Sequence, residues 1–259
     1  GSDVPALIIN VQRGGPGLGG IQPSQADYWQ ATKAPGHGDF QVLVFAPATV
    51  QEMVDLVGTA FDLGDKYRMP AMILADGMLG QMMEPVEIPD NPRTDLPEKP
   101  WATDGHKGKR EHNVINSLYL TPQALEQLSI ERFKRYEVVK ENEQRAEEYL
   151  TDDADIIVVA YGASSRVAHS AVDSAREKGM KVGLIRPITL WPFPTDALKK
   201  AAKTAKSFLC VEMSMGQMVD DVRLAIECKR PVTFFGRTGG VIPTPAEILN
   251  EIEKLGGSE

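Results

Sequence analysis

Arg13 stands directly before a run of glycines in Asn10-Val-Gln-Arg-Gly-Gly-Pro-Gly-Leu-Gly-Gly20. A guanidinium presents a planar fork of donors that meets a carboxylate or phosphate with two bonds at once. Glycines beside it let backbone N–H groups approach the same ligand closely. The preceding Ala6-Leu-Ile-Ile-Asn-Val-Gln12 is a short apolar run, the signature of a strand buried on both faces of a parallel sheet. The carboxyl edge of an open α/β sheet is where ligands bind. The spacing is neither G-x-G-x-x-G nor G-x-x-x-x-G-K-[ST]. Alone, the segment fits a tight turn with a surface arginine as well as it fits an anion site.

The next residues are dense in hydrogen-bonding groups. Gln22-Pro-Ser-Gln-Ala-Asp27 follows the glycines, then Gly36-His-Gly-Asp39, and Asp76-Gly77 closes a later strand. Such a concentration points to a site or a subunit interface. His37 fits a structural hydrogen bond better than a catalytic role. Met78, Met82 and Met83 fit packing better than a substrate wall.

Regular elements must hold these groups. In the first block, Gln41–Phe45 and Ala71–Ala75 read as strands and residues 24–33 as a short helix. Ala48–Tyr67 reads as a helix, with Thr49 as N-cap, Glu52 completing a capping box, and Met53, Leu56, Val57, Ala60, Phe61 and Leu63 on the core face. Residues 84–120 carry Pro85, Pro89, Pro92, Pro97 and Pro100 among charges, which predicts an extended arm or linker. A polar helix is expected over Pro122–Tyr149, with Ile130, Phe133, Tyr136 and Val139 as a narrow apolar stripe. In the second block, strands near 155–161, 181–186, 207–213 and 232–236 alternate with helix-length segments. That alternation predicts a doubly wound parallel α/β domain. The expected division is 1–83, 84–150 and 151–259. The first block is too small for a two-sided layered sheet, so further strands are expected upstream of Gly1, with an open edge along Ala6–Val11 and Val42–Phe45.

Composition narrows the function. The 259 residues include 28 Lys and Arg against 36 Asp and Glu, a net charge of -8, which disfavours nucleic-acid binding. No apolar run is long enough to span a membrane. Two cysteines, Cys210 and Cys228, cannot build a disulfide framework or a four-cysteine cluster and suit a reducing cytoplasm.

Taken together, Arg13-Gly-Gly-Pro-Gly17, Gln22-Pro-Ser-Gln-Ala-Asp27, Gly36-His-Gly-Asp39 and Asp76-Gly77 resemble the alpha subunit of 2-oxoacid:ferredoxin oxidoreductases. The 3-methyl-2-oxobutanoate (2-ketoisovalerate) branch is the nearest match. Ala160-Tyr-Gly162, Arg186-Pro-Ile-Thr-Leu-Trp-Pro-Phe-Pro194, Phe235-Gly-Arg-Thr-Gly-Gly240 and Ile242-Pro-Thr-Pro245 agree and resemble a transketolase C-terminal domain. The resemblance implies an incomplete thiamine-pyrimidine-type parallel-sheet domain followed by a transketolase C-terminal-like domain. It implies oxidative decarboxylation of a 2-oxoacid with coenzyme A and reduction of ferredoxin. Thiamine diphosphate and Mg2+ are then shared with a beta subunit. Iron–sulfur clusters sit on other chains, including a ferredoxin-like subunit, and a soluble ferredoxin takes the electrons. A dimer of such heteromers is expected.

By the same resemblance Arg13 binds the oxoacid carboxylate, and Gly14, Gly15 and Leu18 line its pocket. The family's Tyr-Pro-Ile-Thr-Pro-like segment and the glutamate that contacts the aminopyrimidine are not in this sequence. No catalytic acid or base is therefore assigned, and the chain alone is expected to be inactive. Leu18 and nearby apolar residues suit a branched aliphatic substrate. A 2-oxoglutarate enzyme remains an alternative and would need a second cation; Lys33 is the one candidate near the loop, and the absent segment or a beta subunit could supply another. A non-catalytic anion- or nucleotide-binding module and a dimerisation domain also remain open.

Overall fold

The computed structural model describes residues 1–33, 37–88, 95, 96 and 98–257. Gly36, Pro89, Pro92 and Pro97 lie outside the described residues.

Strand β1 (Leu7–Gln12) runs into the glycine turn, and helix α1 (Tyr28–Thr32) follows. Strand β2 (Leu43–Phe45), helix α2 (Val50–Tyr67) and strand β3 (Ala71–Asp76) complete the first sheet's own strands. β1 and β2 both pair with β3 in parallel, Leu7 and Leu43 each opposite Ala71. α2 begins where the Thr49 hydroxyl accepts the Glu52 N–H at 3.1 Å. The Glu52 carboxylate accepts from Ala48 N rather than from Thr49 N, so the reciprocal half of the expected capping box is displaced by one residue. Leu56, Ala60, Leu63 and Tyr67 form the buried stripe of α2. Phe61, expected in that stripe, is half exposed, because it lies about 100° around the helix from Ala60.

Among the described residues of 84–120 there is no helix or strand. The described residues of this arm touch α2 near both ends. Glu87 N donates to Gln51 Oε1 at 2.8 Å near the helix start. Lys99 pairs with Asp65 at 2.6 Å, and the Arg68 guanidinium lies over Trp101, at the helix end.

Helix α3 (Pro122–Asn142) is shorter than expected, because residues 146–149 form strand β4 (Ala146–Tyr149) instead. Tyr136 and Val139 of its apolar stripe are buried, whereas Ile130 and Phe133 are partly exposed. The chain continues as β5 (Ile156–Val159), α4 (Gly162–Glu177), β6 (Val182–Pro187), β7 (Thr189–Trp191) and α5 (Thr195–Ala201). It ends with β8 (Ser207–Glu212), α6 (Met218–Ala225), β9 (Val232–Gly236) and α7 (Pro245–Gly256). The second sheet has the order β4-β6-β5-β8-β9. Its four expected strands are all parallel, and β4 adds an antiparallel edge.

β7 belongs to the first sheet, whose order is β1-β3-β2-β7. It pairs antiparallel with β2, Val44 opposite Trp191. Only Ile188 separates β6 in one sheet from β7 in the other. Val42–Phe45, expected to lie open, is therefore covered. β1 does show the expected open edge. Ile8, Ile9 and Val11 are 45%, 54% and 43% exposed, and among the described residues no strand pairs with its free side.

Candidate active site

The end of β1 is built to hold a turn in place. Gln12 is buried; its Nε2 donates to Ala75 O at 3.2 Å and its Oε1 accepts from Asp27 N at 3.0 Å. Arg13 bridges to Pro23, and Gly14 N donates to Gln22 O at 2.7 Å. Gly20 N closes the loop on Gly14 O at 2.9 Å. Gly17 and Gly19 both have positive φ, 66° and 46°, which a side chain would strain. A Cβ on Gly19 would lie 2.1 Å from Gly14 O, so this return of the chain demands glycine.

The Arg13 guanidinium lies across the turn. Nη1 donates to Gly14 O at 2.9 Å and Leu18 O at 3.0 Å, and Nη2 to Gly17 O at 3.0 Å. Three of its five N–H donors are thus used in holding the group flat. Nε–H and one Nη2 proton remain, the two groups that together make a side-on fork for a carboxylate. Among the described residues no acidic side chain neutralises Arg13 within salt-bridge distance. Beside it is a cavity of 400 Å³ lined by Asn10, Val11, Arg13, Gly15, Pro16, Gly17 and Asp27. Asn10 Nδ2 donates to Asp27 Oδ2 at 3.1 Å, which occupies one oxygen of the carboxylate in the cavity wall. The arrangement offers an unneutralised cation, small backbone-lined walls and an open mouth, and these suit a small carboxylate.

Of the residues singled out from sequence, Arg13 and Gly15 line this cavity together. Gly14 is buried behind it, where a Cβ would meet Gly239 C at 3.2 Å and Gly240 N at 3.3 Å. The Leu18 side chain is 97% exposed, and only its carbonyl joins the site. His37 is exposed. Lys33 forms an ion pair with Asp221 on α6 and does not line this cavity. Met83 is 98% exposed, while Met82 Sδ lies 3.6 Å from an Arg166 nitrogen.

The polar residues after the glycines serve the contact between sheets. Gln25 is fully buried; its Nε2 donates to Tyr161 O at 2.8 Å, and its Oε1 accepts from Ser164 Oγ at 2.7 Å and from Met213 N at 3.0 Å. Tyr161 and Met213 follow β5 and β8, and Ser164 lies in the first turn of α4, at the point where the strand order of the second sheet reverses. A ligand commonly occupies that crevice in doubly wound folds; here Gln25 fills it. Asp76 accepts from Ala163 N at 3.2 Å in the first turn of α4, and from Met78 N and Leu79 N. Burial pushes its carboxyl up, and the three backbone bonds pull in the opposite direction without cancelling the shift. Gly162, with φ at 54°, allows the approach, since a Cβ there would stand 3.2 Å from Gln25 Nε2 and 3.3 Å from Asp76 Oδ2. Sequence showed a polar cluster here without showing which elements it joined.

Cys210 is buried, and burial followed by the nearby Glu212 carboxylate pushes its thiol well above the ordinary range. Cys228 is exposed elsewhere on the surface. Among the described residues no group of three or more His, Cys, Asp or Glu is placed to hold a metal ion. The donor set of the Arg13 cavity fits an organic anion and does not fit a magnesium diphosphate or an iron–sulfur cluster.

Residues 1–148 match the family described as pyruvate flavodoxin/ferredoxin oxidoreductase, thiamine diphosphate-binding, and residues 154–248 match pyruvate:ferredoxin oxidoreductase core domain II. The chain is 47% identical over 257 residues to the ketoisovalerate oxidoreductase subunit VorB of Methanothermobacter marburgensis, covering 99% of this chain and 72% of that protein. It is 33% identical over 282 residues to the 2-oxoglutarate synthase subunit KorA of Methanothermobacter thermautotrophicus, covering 98% of this chain and 74% of the other. Among solved structures, 2-oxoglutarate:ferredoxin oxidoreductase from Magnetococcus marinus, with 2-oxoglutarate, coenzyme A and succinyl-CoA bound, superposes with a TM-score of 0.78 at 22% identity. It matches over 98% of this chain and 49% of its own. A split-gene transketolase shares the fold at a TM-score of 0.53 and 15% identity, over 96% of this chain and 64% of its own.

Proposed function

Because this chain belongs to the 2-oxoacid:ferredoxin oxidoreductase family, we propose that it is the alpha-type subunit of an enzyme for a branched-chain 2-oxoacid, 3-methyl-2-oxobutanoate. The enzyme converts the oxoacid and coenzyme A to an acyl-CoA and CO2, and two electrons pass to ferredoxin. The observation that carries the reading is the Arg13 guanidinium, braced by three carbonyls with its side-on fork free beside a 400 Å³ cavity. The substrate choice follows the higher identity to the ketoisovalerate relative, 47% against 33% for the 2-oxoglutarate relative. It is also supported by Lys33, whose ion pair with Asp221 leaves it unsuited to bind a second substrate carboxylate at the loop.

In this reading Arg13 takes the oxoacid carboxylate in a charge-assisted bidentate contact and sets the orientation of the adjacent carbonyl. Gly15 and Gly17 keep the wall low enough for that approach. Thiamine diphosphate, when bound, supplies a sink for the electrons left as CO2 departs. It is assigned with Mg2+ to a shared interface with a beta-type subunit. Iron–sulfur clusters are assigned to other chains, among them a ferredoxin-like subunit, within a dimer of heteromers. Residues 1–83 are taken as part of the pyrimidine-side domain, 84–150 as an arm and helix, and 151–259 as the transketolase C-terminal-like domain. Among the described residues no helix is long and apolar enough to cross a membrane. A cytoplasmic location is part of the proposal.

The test is oxoacid-dependent reduction of ferredoxin by the purified multi-subunit enzyme. The expected order of kcat/KM is 3-methyl-2-oxobutanoate above pyruvate and 2-oxoglutarate. A preference for 2-oxoglutarate would overturn the substrate assignment, and turnover without any 2-oxoacid preference would overturn the role of the site.

A further inference from the structure

We propose that Gly240 is a positioning residue for Arg13, through which the second domain sets the affinity of the carboxylate site in the first. The inference rests on the reading of Arg13 as the oxoacid anchor. Gly240 does not touch the cavity; it acts through Gln22.

The chain of contacts is short. Gly239 and Gly240 form the middle of a turn closed by Val241 N donating to Thr238 O at 3.3 Å, with φ values of 68° and 98°. The turn is fixed at its base, because Arg237 N donates to Glu212 O at 3.2 Å and the Arg237 side chain pairs with Glu247 on α7 at 3.2 Å. Its backbone rests against Gly14, where no Cβ intervenes. On its other side, a Cβ placed on Gly240 would lie 2.3 Å from Gln22 Cβ and 3.1 Å from Gln22 Cγ. Real Cβ atoms do not come that near a neighbour, so a side chain at Gly240 has to displace Gln22. Gln22 O in turn holds Gly14 N at 2.7 Å, and Gly14 O holds the Arg13 guanidinium at 2.9 Å. A shift of Gln22 therefore passes through one backbone bond to the carbonyl that orients the fork. A displacement of about 1 Å at a positioning contact is enough to lower catalytic efficiency by up to about a hundredfold.

The experiment uses the multi-subunit enzyme with steady-state kinetics and thermal melts. Gly240→Ala is expected to raise KM for the oxoacid about tenfold, with kcat changed by less than about twofold, as a loss of binding predicts. Combining it with Gln22→Gly removes the colliding atom and should restore most of the KM, which relief of backbone strain alone would not do. Gly179→Ala is the control for strain: its φ is 80°, nothing lies within 4 Å of its Cβ position, and it should lower the melting temperature with kinetics unchanged. Should Gly240→Ala fail to fold, Gly14→Ala presses the same interface from the opposite side and should raise KM likewise. Arg13→Ala separates the two layers of the inference. A raised KM in Arg13→Ala with an unchanged KM in a folded Gly240→Ala, or in Gly14→Ala, would overturn the positioning role alone. An unchanged KM in Arg13→Ala would overturn the carboxylate reading beneath it.

Discussion

Gln25 and Met213 bind each other as two strand residues would. Gln25 N donates to Met213 O at 2.8 Å, and Met213 N donates to Gln25 Oε1 at 3.0 Å. A side-chain amide thus completes a backbone pairing across the boundary between two sheets. Gln25 follows the glycine turn by a few residues, so the loop that carries Arg13 is tied to the carboxyl end of β8. The same amide also bonds Tyr161 O and Ser164 Oγ, so it reaches both sides of the crevice.

Gln25→Ala should cost about 2–4 kcal/mol of stability, because Met213 N, Tyr161 O and the Ser164 hydroxyl lose their partner away from water. Denaturant unfolding reads the loss directly. A change under about 0.5 kcal/mol would mean that these groups find other partners.

Arg13→Ala should reduce kcat/KM for the oxoacid about ten- to a hundredfold, the usual effect of losing a charge-assisted contact of about 1.5–3 kcal/mol. Arg13→Lys should recover part of it, since an ammonium cannot reproduce a side-on fork. Thermal melts should move little for either. Unchanged kcat/KM in Arg13→Ala would remove the carboxylate role.

Acid should weaken the junction of α2, α3 and β4. Burial raises the Glu143 carboxyl, but the Tyr67 hydroxyl at 2.6 Å, Lys66 at 3.0 Å and Arg145 outweigh it and leave the group below the ordinary glutamate range. A depressed folded value gives stability that is complete above the unfolded value and is lost as pH falls through the folded one. Melting temperature should therefore fall in that acid window, and Glu143→Gln should flatten the fall while lowering stability at neutral pH. An identical acid limb in the variant would assign the effect to other carboxylates.

Ile9→Lys places a charge on the open edge of β1, where Ile9 is 54% exposed. Unpaired edges template association between chains, and lysine blocks it. Light scattering of the isolated chain should show less self-association with its melting temperature retained. Unchanged scattering would exclude β1 as the sticky surface.

The second sheet was legible because Ile156–Val159, Val182–Pro187 and Ser207–Glu212 are nearly continuous buried runs between helices of ordinary length. β4 was not. Ala146-Glu-Glu-Tyr149 has a helix-like composition, and its Glu147 is held on the strand by Arg186 at 2.7 Å, a partner that only the tertiary fold supplies. β7 has three residues, too few for a periodic signal, and its partner Val44 is far away in the chain. The glycine turn could be read locally, since its conformation depends on its own residues. Its support by Gly239 and Gly240 could not, because that contact is written in two distant segments, neither of which specifies the other.

The passage from β6 to β7 through Ile188 has a mechanical consequence. Ile188 is itself pinned, its N–H to Arg145 O at 2.9 Å and its carbonyl by Ala46 N at 2.8 Å. A single ribbon is thus woven into both sheets with no slack between them. Hinge rotation of one sheet against the other would have to tear hydrogen bonds from β2 or β5 at the outset. The two sheets are thereby coupled into one block, the anvil on which the glycine turn carrying Arg13 rests.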